Sequence, residues 1–162
     1  EQDASFCRNA KIQLLNQIVE ELIIIERGRE LNISVTDIEL EESVKSIKGD
    51  YPETEFENML LEYSVPYSMW EKRLKTRLLI EKVITQDLKN HIQITADDIS
   101  KYYTDNITKN SDIRLKKELS TETVVKNLRN IKAEEAYKTW FESLHKKYKV
   151  EINSKQWDKI LS

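Results

Sequence analysis

The sequence predicts an all-α fold, mainly helical with at most one short strand near its C-terminal end. Three observations carry that expectation. Apolar residues recur at three- and four-residue spacing through most of the chain, the period of one face of a helix. Only two glycines and two prolines punctuate 162 residues, too few for the turns of a β-sandwich or an α/β enzyme of this size. Charged residues make up 34% of the chain against 39% hydrophobic, a balance that suits long helices with solvated outer faces.

The first helix is expected over roughly 5–31. Leu15, Ile18, Val19, Leu22 and Ile25 recur at helical spacing, and Leu14, Ile23 and Ile24 widen the stripe. A stripe this wide implies burial on more than one side. Asn32 is a suitable stop. Thr36 and Glu39 then form a capping box, in which the hydroxyl accepts from the Glu39 amide and the carboxylate reaches back to Thr36. The helix they open carries Ile38, Val44 and Ile47 and should close at Gly49 through a left-handed cap. After Pro52 a short helix places Phe56, Met59, Leu60 and Tyr63 on one face. Pro66 breaks the chain again, with Ser68 as the expected cap of a long helix over about 69–91. Trp70, Leu74 and Leu78 run along that helix at spacing four. Thr95, with Asp98, caps a fifth helix ending at Tyr102-Tyr103. Residues 106–112 read as a polar loop, and 113–119 have no clear period. Ser120 starts the last long helix, with Val124, Leu128, Ile131, Ala136, Tyr137, Trp140, Phe141, Leu144 and Tyr148 as its apolar positions. Val150-Glu151-Ile152 alternates as a short strand would, and Trp157, Ile160 and Leu161 fit one helical turn.

Composition removes several function classes. The net charge of -3, with Lys and Glu interspersed, offers no basic face for nucleic acid. Cys7 is the lone cysteine, so neither an internal disulfide nor a Cys-based metal site can form. The longest apolar run, Leu22–Ile25, is far too short to cross a bilayer. His91 and His145 lie apart, without the spacing of a metal site. Neighbouring carboxylates, Asp97-Asp98 and Glu41-Glu42, diverge by about 100° on a helix and cannot act as a catalytic pair. No nucleophile elbow and no phosphate-cradling glycine loop occurs. No cofactor and no catalytic residue is expected.

The suggestive feature is the aromatic and methionine content around the Pro66 turn: Met59, Tyr63, Tyr67, Met69 and Trp70. Methionine adapts to varied partners, and tyrosine combines apolar area with one polar atom. Trp70 and Trp140 are expected mainly in the core. Met59, Tyr63, Tyr67 and Met69 are the candidates for a surface that holds apolar peptide segments.

The stretches LLNQIVEELIIIERGRELNISVTDIELEESVKSI, FENMLLEYSVPYSMWEKRLKTRLLIEKVI and IQITADDISKYYTDN resemble, in order and spacing, the N-terminal lobe of SurA-like and PrsA-like bacterial envelope chaperones. EEAYKTWFESLHKKYKVEI is similar to the return helix and strand that close that lobe. The resemblance implies one helical chaperone domain over 1–162: a lobe at 5–106, a connector at 107–119 where relatives carry a parvulin prolyl isomerase, and a return helix, strand and tail at 120–162. The family's usual opening strand is missing, which leaves Val150–Ile152 either without its usual partner or free to pair with another molecule. The implied function is an ATP-independent holdase of the periplasm or cell envelope, without isomerase activity. Its implied partners are unfolded or extended polypeptides such as outer-membrane or secreted proteins. An alternative is an adaptor that binds one dedicated partner or itself, as a homodimer, by strand or helix exchange.

Overall fold

The computed structural model describes residues 2–52, 54–109 and 120–161. Seven helices occur among them: α1 (Gln2–Glu30), α2 (Asp37–Gly49), α3 (Glu55–Glu62), α4 (Tyr67–Asp87), α5 (Ala96–Lys109), α6 (Thr121–Lys147) and α7 (Ser154–Leu161). A single 3-10 turn, Lys89–His91, follows α4. The all-α expectation holds. No strand forms among the described residues, and Val150–Ile152 runs without a β-partner into the cap of α7.

Local chemistry sets most helix ends. Asn32 takes φ 56° after α1. The Ile33 amide then donates to the Gly28 carbonyl at 2.9 Å and the Asn32 amide to Arg29 at 3.1 Å, which closes the helix in a Schellman turn. Ser64 does the same after α3 with φ 53°, its neighbour Val65 donating to Leu60 at 2.8 Å. The Thr36–Glu39 capping box forms in full, with Thr36 N donating to Glu39 Oε2 at 2.8 Å and Glu39 N to Thr36 Oγ1 at 3.2 Å. Thr95 and Asp98 repeat it with the shorter carboxylate. Ser120 caps α6 by accepting from the Thr123 amide at 3.2 Å, and Asn153 caps α7 through Gln156 at 3.2 Å.

Four boundaries differ from the sequence reading. Gly49 stays helical, and α2 closes at Asp50 in the right-handed region, so no left-handed cap is used. Ser68 lies inside α4, because the Pro66 carbonyl already accepts from Met69 and Trp70 and starts the helix at Tyr67. α4 ends at Asp87, with the 3-10 turn taking up the following residues. α5 continues through Lys109, past the expected loop start at 106. The remaining expected loop and the unperiodic stretch, 110–119, lie outside the described residues.

The chain divides into two compact units: Glu1–Val83 with Tyr148–Ser162, and Ile84–Lys147. The first is built on Ile23, Ile24, Val35, Phe56, Leu60, Leu74 and Val83. Both chain ends contribute to it. α7 packs on α1, Lys11 Nζ donates to the Ile160 carbonyl at 2.6 Å, and the Tyr148 hydroxyl donates to Glu30. In the second unit α5 and the 3-10 turn pack on α6 around Leu88, Val124, Leu128, Ala133 and Leu144. Lys132 meets Asp98 at 2.6 Å, and the half-buried Trp140 donates from Nε1 to Asp87 at 2.9 Å.

Candidate peptide-binding surfaces

α1 has two apolar sides, and only one is covered. Ile23 and Ile24 are buried at 2% exposure each, and Gly28 lets α4 approach so closely that Val83 fills the space a side chain would need. One turn apart on another side, Leu14, Ile18 and Leu22 stand 57%, 44% and 56% exposed. Their spacing of four puts them in one line along the helix. The sequence reading assigned this stripe to the core. The structure covers one side of it and leaves the Leu14–Ile18–Leu22 line open.

Glu21 borders that line and fixes what lies next to it. Arg73 of α4 grips its carboxylate with two hydrogen bonds, 2.7 Å and 2.6 Å. The Arg73 bond, helped by Gln17, holds the Glu21 carboxyl below its ordinary range despite some desolvation. Met69 sits one turn before Arg73 on α4 and is 62% exposed. At a spacing of four, this flexible thioether leaves α4 on the side from which Arg73 reaches Glu21.

The four side chains picked out in the sequence do not share one wall. Residues two apart on a helix diverge by about 200°, so Tyr67 and Met69 leave α4 on opposite sides. Tyr67 joins a ring cluster with Trp70 at 5.5 Å, and Trp70 in turn meets the buried Phe56 at 4.8 Å. Lys48 Nζ sits 5.1 Å from the ring centres of both Phe56 and Tyr67, held there by Glu57 at 2.7 Å. That ion pair raises the Lys48 ammonium and lowers the Glu57 carboxyl. Burial, then the Glu71 carboxylate, pushes the Tyr67 phenol up. On α3, Met59 is half-buried and Tyr63, at the C-cap, is exposed.

Tyr67 lines a groove of about 630 Å³ with Glu71 and the outer side of α2, where Ile38, Leu40 and Val44 alternate with carboxylates. The sequence reading passed over this groove. Ile38, one of the apolar positions noted on this helix, is 69% exposed. Among the described residues no cluster of His, Cys, Asp or Glu is placed to hold a metal ion. No described helix is long and apolar enough to cross a membrane.

Sequence comparison finds relatives over part of the chain. The chain is similar to proteins named foldase protein PrsA. It is 30% identical over 112 residues to foldase protein PrsA of Clostridium botulinum strain 657 / Type Ba4 and to that of strain Loch Maree / Type A3. Against foldase protein PrsA of Clostridium acetobutylicum it is 25% identical over 108 residues. The matches cover 65%, 65% and 64% of this chain. The chain spans about a third of the length of these relatives, 33%, 33% and 32%. No protein-family model matches it. No solved structure matches it significantly.

One signal in the sequence could have located the α1 surface. Eight of the twelve residues from 14 to 25 are aliphatic, more than one helix face can present to one neighbour. Such excess marks either a central helix or an open face, and only the position of the other helices separates the two.

Proposed function

We propose that this chain is a client-holding lobe of a foldase-type chaperone. It binds extended, unfolded polypeptide on the open line Leu14–Ile18–Leu22 of α1, widened by Met69. The single observation that carries the reading is that open line, in a chain whose relatives over 112 residues are foldases. Covering one such aliphatic side chain contributes roughly 1.5–3 kcal/mol at most, and about half of that where the chain already covers part of it. Association itself costs at least about 4 kcal/mol. The surplus is small, so a client is held weakly and released when it buries the same segment in its own core. Met59 on α3 and Tyr63 at its C-cap offer a separate apolar contact, while Tyr67 serves the α2 groove.

The lobe works without ATP and without catalysing proline isomerisation, and its setting is the bacterial envelope, where unfolded secreted proteins are its clients. The test is suppression of light scattering by a chemically unfolded secreted protein diluted into buffer. Wild-type chain at several-fold excess suppresses it. The double variant Ile18→Lys/Leu22→Lys, with unchanged helical circular dichroism, does not. Equal suppression by both would remove α1 as the holding surface.

A further inference from the structure

The groove on the outer side of α2 carries a sign of charge that the α1 line lacks. Ile38, Leu40, Val44 and Tyr67 supply its apolar lining, and Asp37, Glu41, Glu42 and Glu71 surround them with Lys45 as the one cationic residue of the lining. Asp37 is engaged by Lys75 at 3.3 Å, and Glu71 lies against the Tyr67 hydroxyl. Glu41 and Glu42 have no ion-pair partner among the described residues. Lys45, one turn on from both, offsets one of the lining's four carboxylates, and Lys48, the cation after it on α2, is committed to Glu57, so the groove keeps an acidic excess.

The geometry points to a second, charge-selective client subsite here, taking an extended segment in which an apolar residue is flanked by lysine or arginine. The apolar residue rests on Ile38 and Tyr67, and the flanking cations meet Glu41 and Glu42. This rests on the chaperone reading above and adds the class of client segment. Two exposed opposite-charge contacts change affinity about three- to tenfold, and less at high salt.

The test uses fluorescein-labelled decapeptides sharing the same leucines and tyrosine, with lysine, glutamine or glutamate at the flanking positions, and fluorescence polarisation on the full chain. The lysine peptide binds about three- to tenfold more tightly than the glutamate peptide at low salt. Glu41→Gln/Glu42→Gln reduces that ratio to below about twofold, whereas Glu134→Gln/Glu135→Gln, the same charge change on α6, leaves it intact. Ile38→Ser weakens all three peptides. No preference, or a preference that survives Glu41→Gln/Glu42→Gln, overturns the subsite. So does self-association of the chain that this variant abolishes, since a second copy would then be the occupant. Aggregation suppression by the same samples separates the two claims: suppression without charge preference overturns the groove alone.

Discussion

Gly28 shows how far one absent atom reaches. A Cβ built there would lie 2.9 Å from Val83 Cγ2 and 3.6 Å from Leu79 Cδ1. Val83 is fully buried and β-branched, so it has no free rotamer to yield into. Alanine would gain about 1 kcal/mol of helix propensity, but overpacking costs roughly 1–3 kcal/mol. Gly28→Ala is therefore expected to lower stability by about 1 kcal/mol, read as a lower urea midpoint. A midpoint at or above wild type would show that α1 and α4 can part without loss. Glu39 and Asp98 act at the same scale through charge. Lys82, then the Thr36 amide and hydroxyl, hold the Glu39 carboxyl at about 2, and Lys132 with Thr95 does the same for Asp98. Their unfolded values lie near 4, so between about pH 4 and pH 2 the unfolded chain binds more protons than the folded one. Stability from both groups is full above that window and is lost as pH falls through it. The thermal midpoint should drop between pH 5 and pH 2.5, and Glu39→Gln with Asp98→Asn should flatten that drop. A slope unchanged in the double variant would rule the two carboxylates out as its source.

Among the helices, α1 gives the sharpest contrast, because adjacent residues face different surroundings. Ile23 is 2% exposed and Leu22 is more than half exposed. Truncating a buried isoleucine costs about 2–5 kcal/mol, whereas trimming an exposed leucine usually changes stability by less than about 0.5 kcal/mol. Ile23→Ala should thus melt early yet bind peptide normally below its transition. Leu22→Ala should melt like wild type and hold client less well. If both variants lost stability equally, the open line would belong to the core after all. α7 depends on Asn153 for its start and on α1 for its seat. Trp157 is half-buried in that seat. Trp157→Ala should speed amide exchange through 154–161 while exchange in α6 stays slow. Uniform acceleration in both would mean that α7 has no local seat of its own.

For the molecule as a whole, the proposed passive holding sets two expectations. Suppression of aggregation should scale with the ratio of chain to client and be the same with and without ATP and magnesium. A proline-limited refolding reaction should run at its uncatalysed rate in the chain's presence, and acceleration would mean that an isomerase site lies in it. The sequence alone determined the all-α class, the order of the helices and several of their caps, though not those at Gly49, Ser68, Ser64 and Asn153. These depend on residues three or four positions apart, as in Thr36–Glu39 and Thr95–Asp98, and such contacts form wherever the helix ends up. It also singled out Met59, Tyr63, Tyr67 and Met69 as unusual, but not which of them face together. Only the tertiary structure decided that α4 covers one side of α1 and leaves Leu14, Ile18 and Leu22 to solvent, and that Tyr67 lies with α2 while Met69 stands exposed one turn before the Arg73 that grips Glu21. The same leucine pattern serves a core or an open surface equally well. Which one it becomes depends on where distant segments pack, through contacts such as Gly28 on Val83 and Lys11 on Ile160 that no local period encodes.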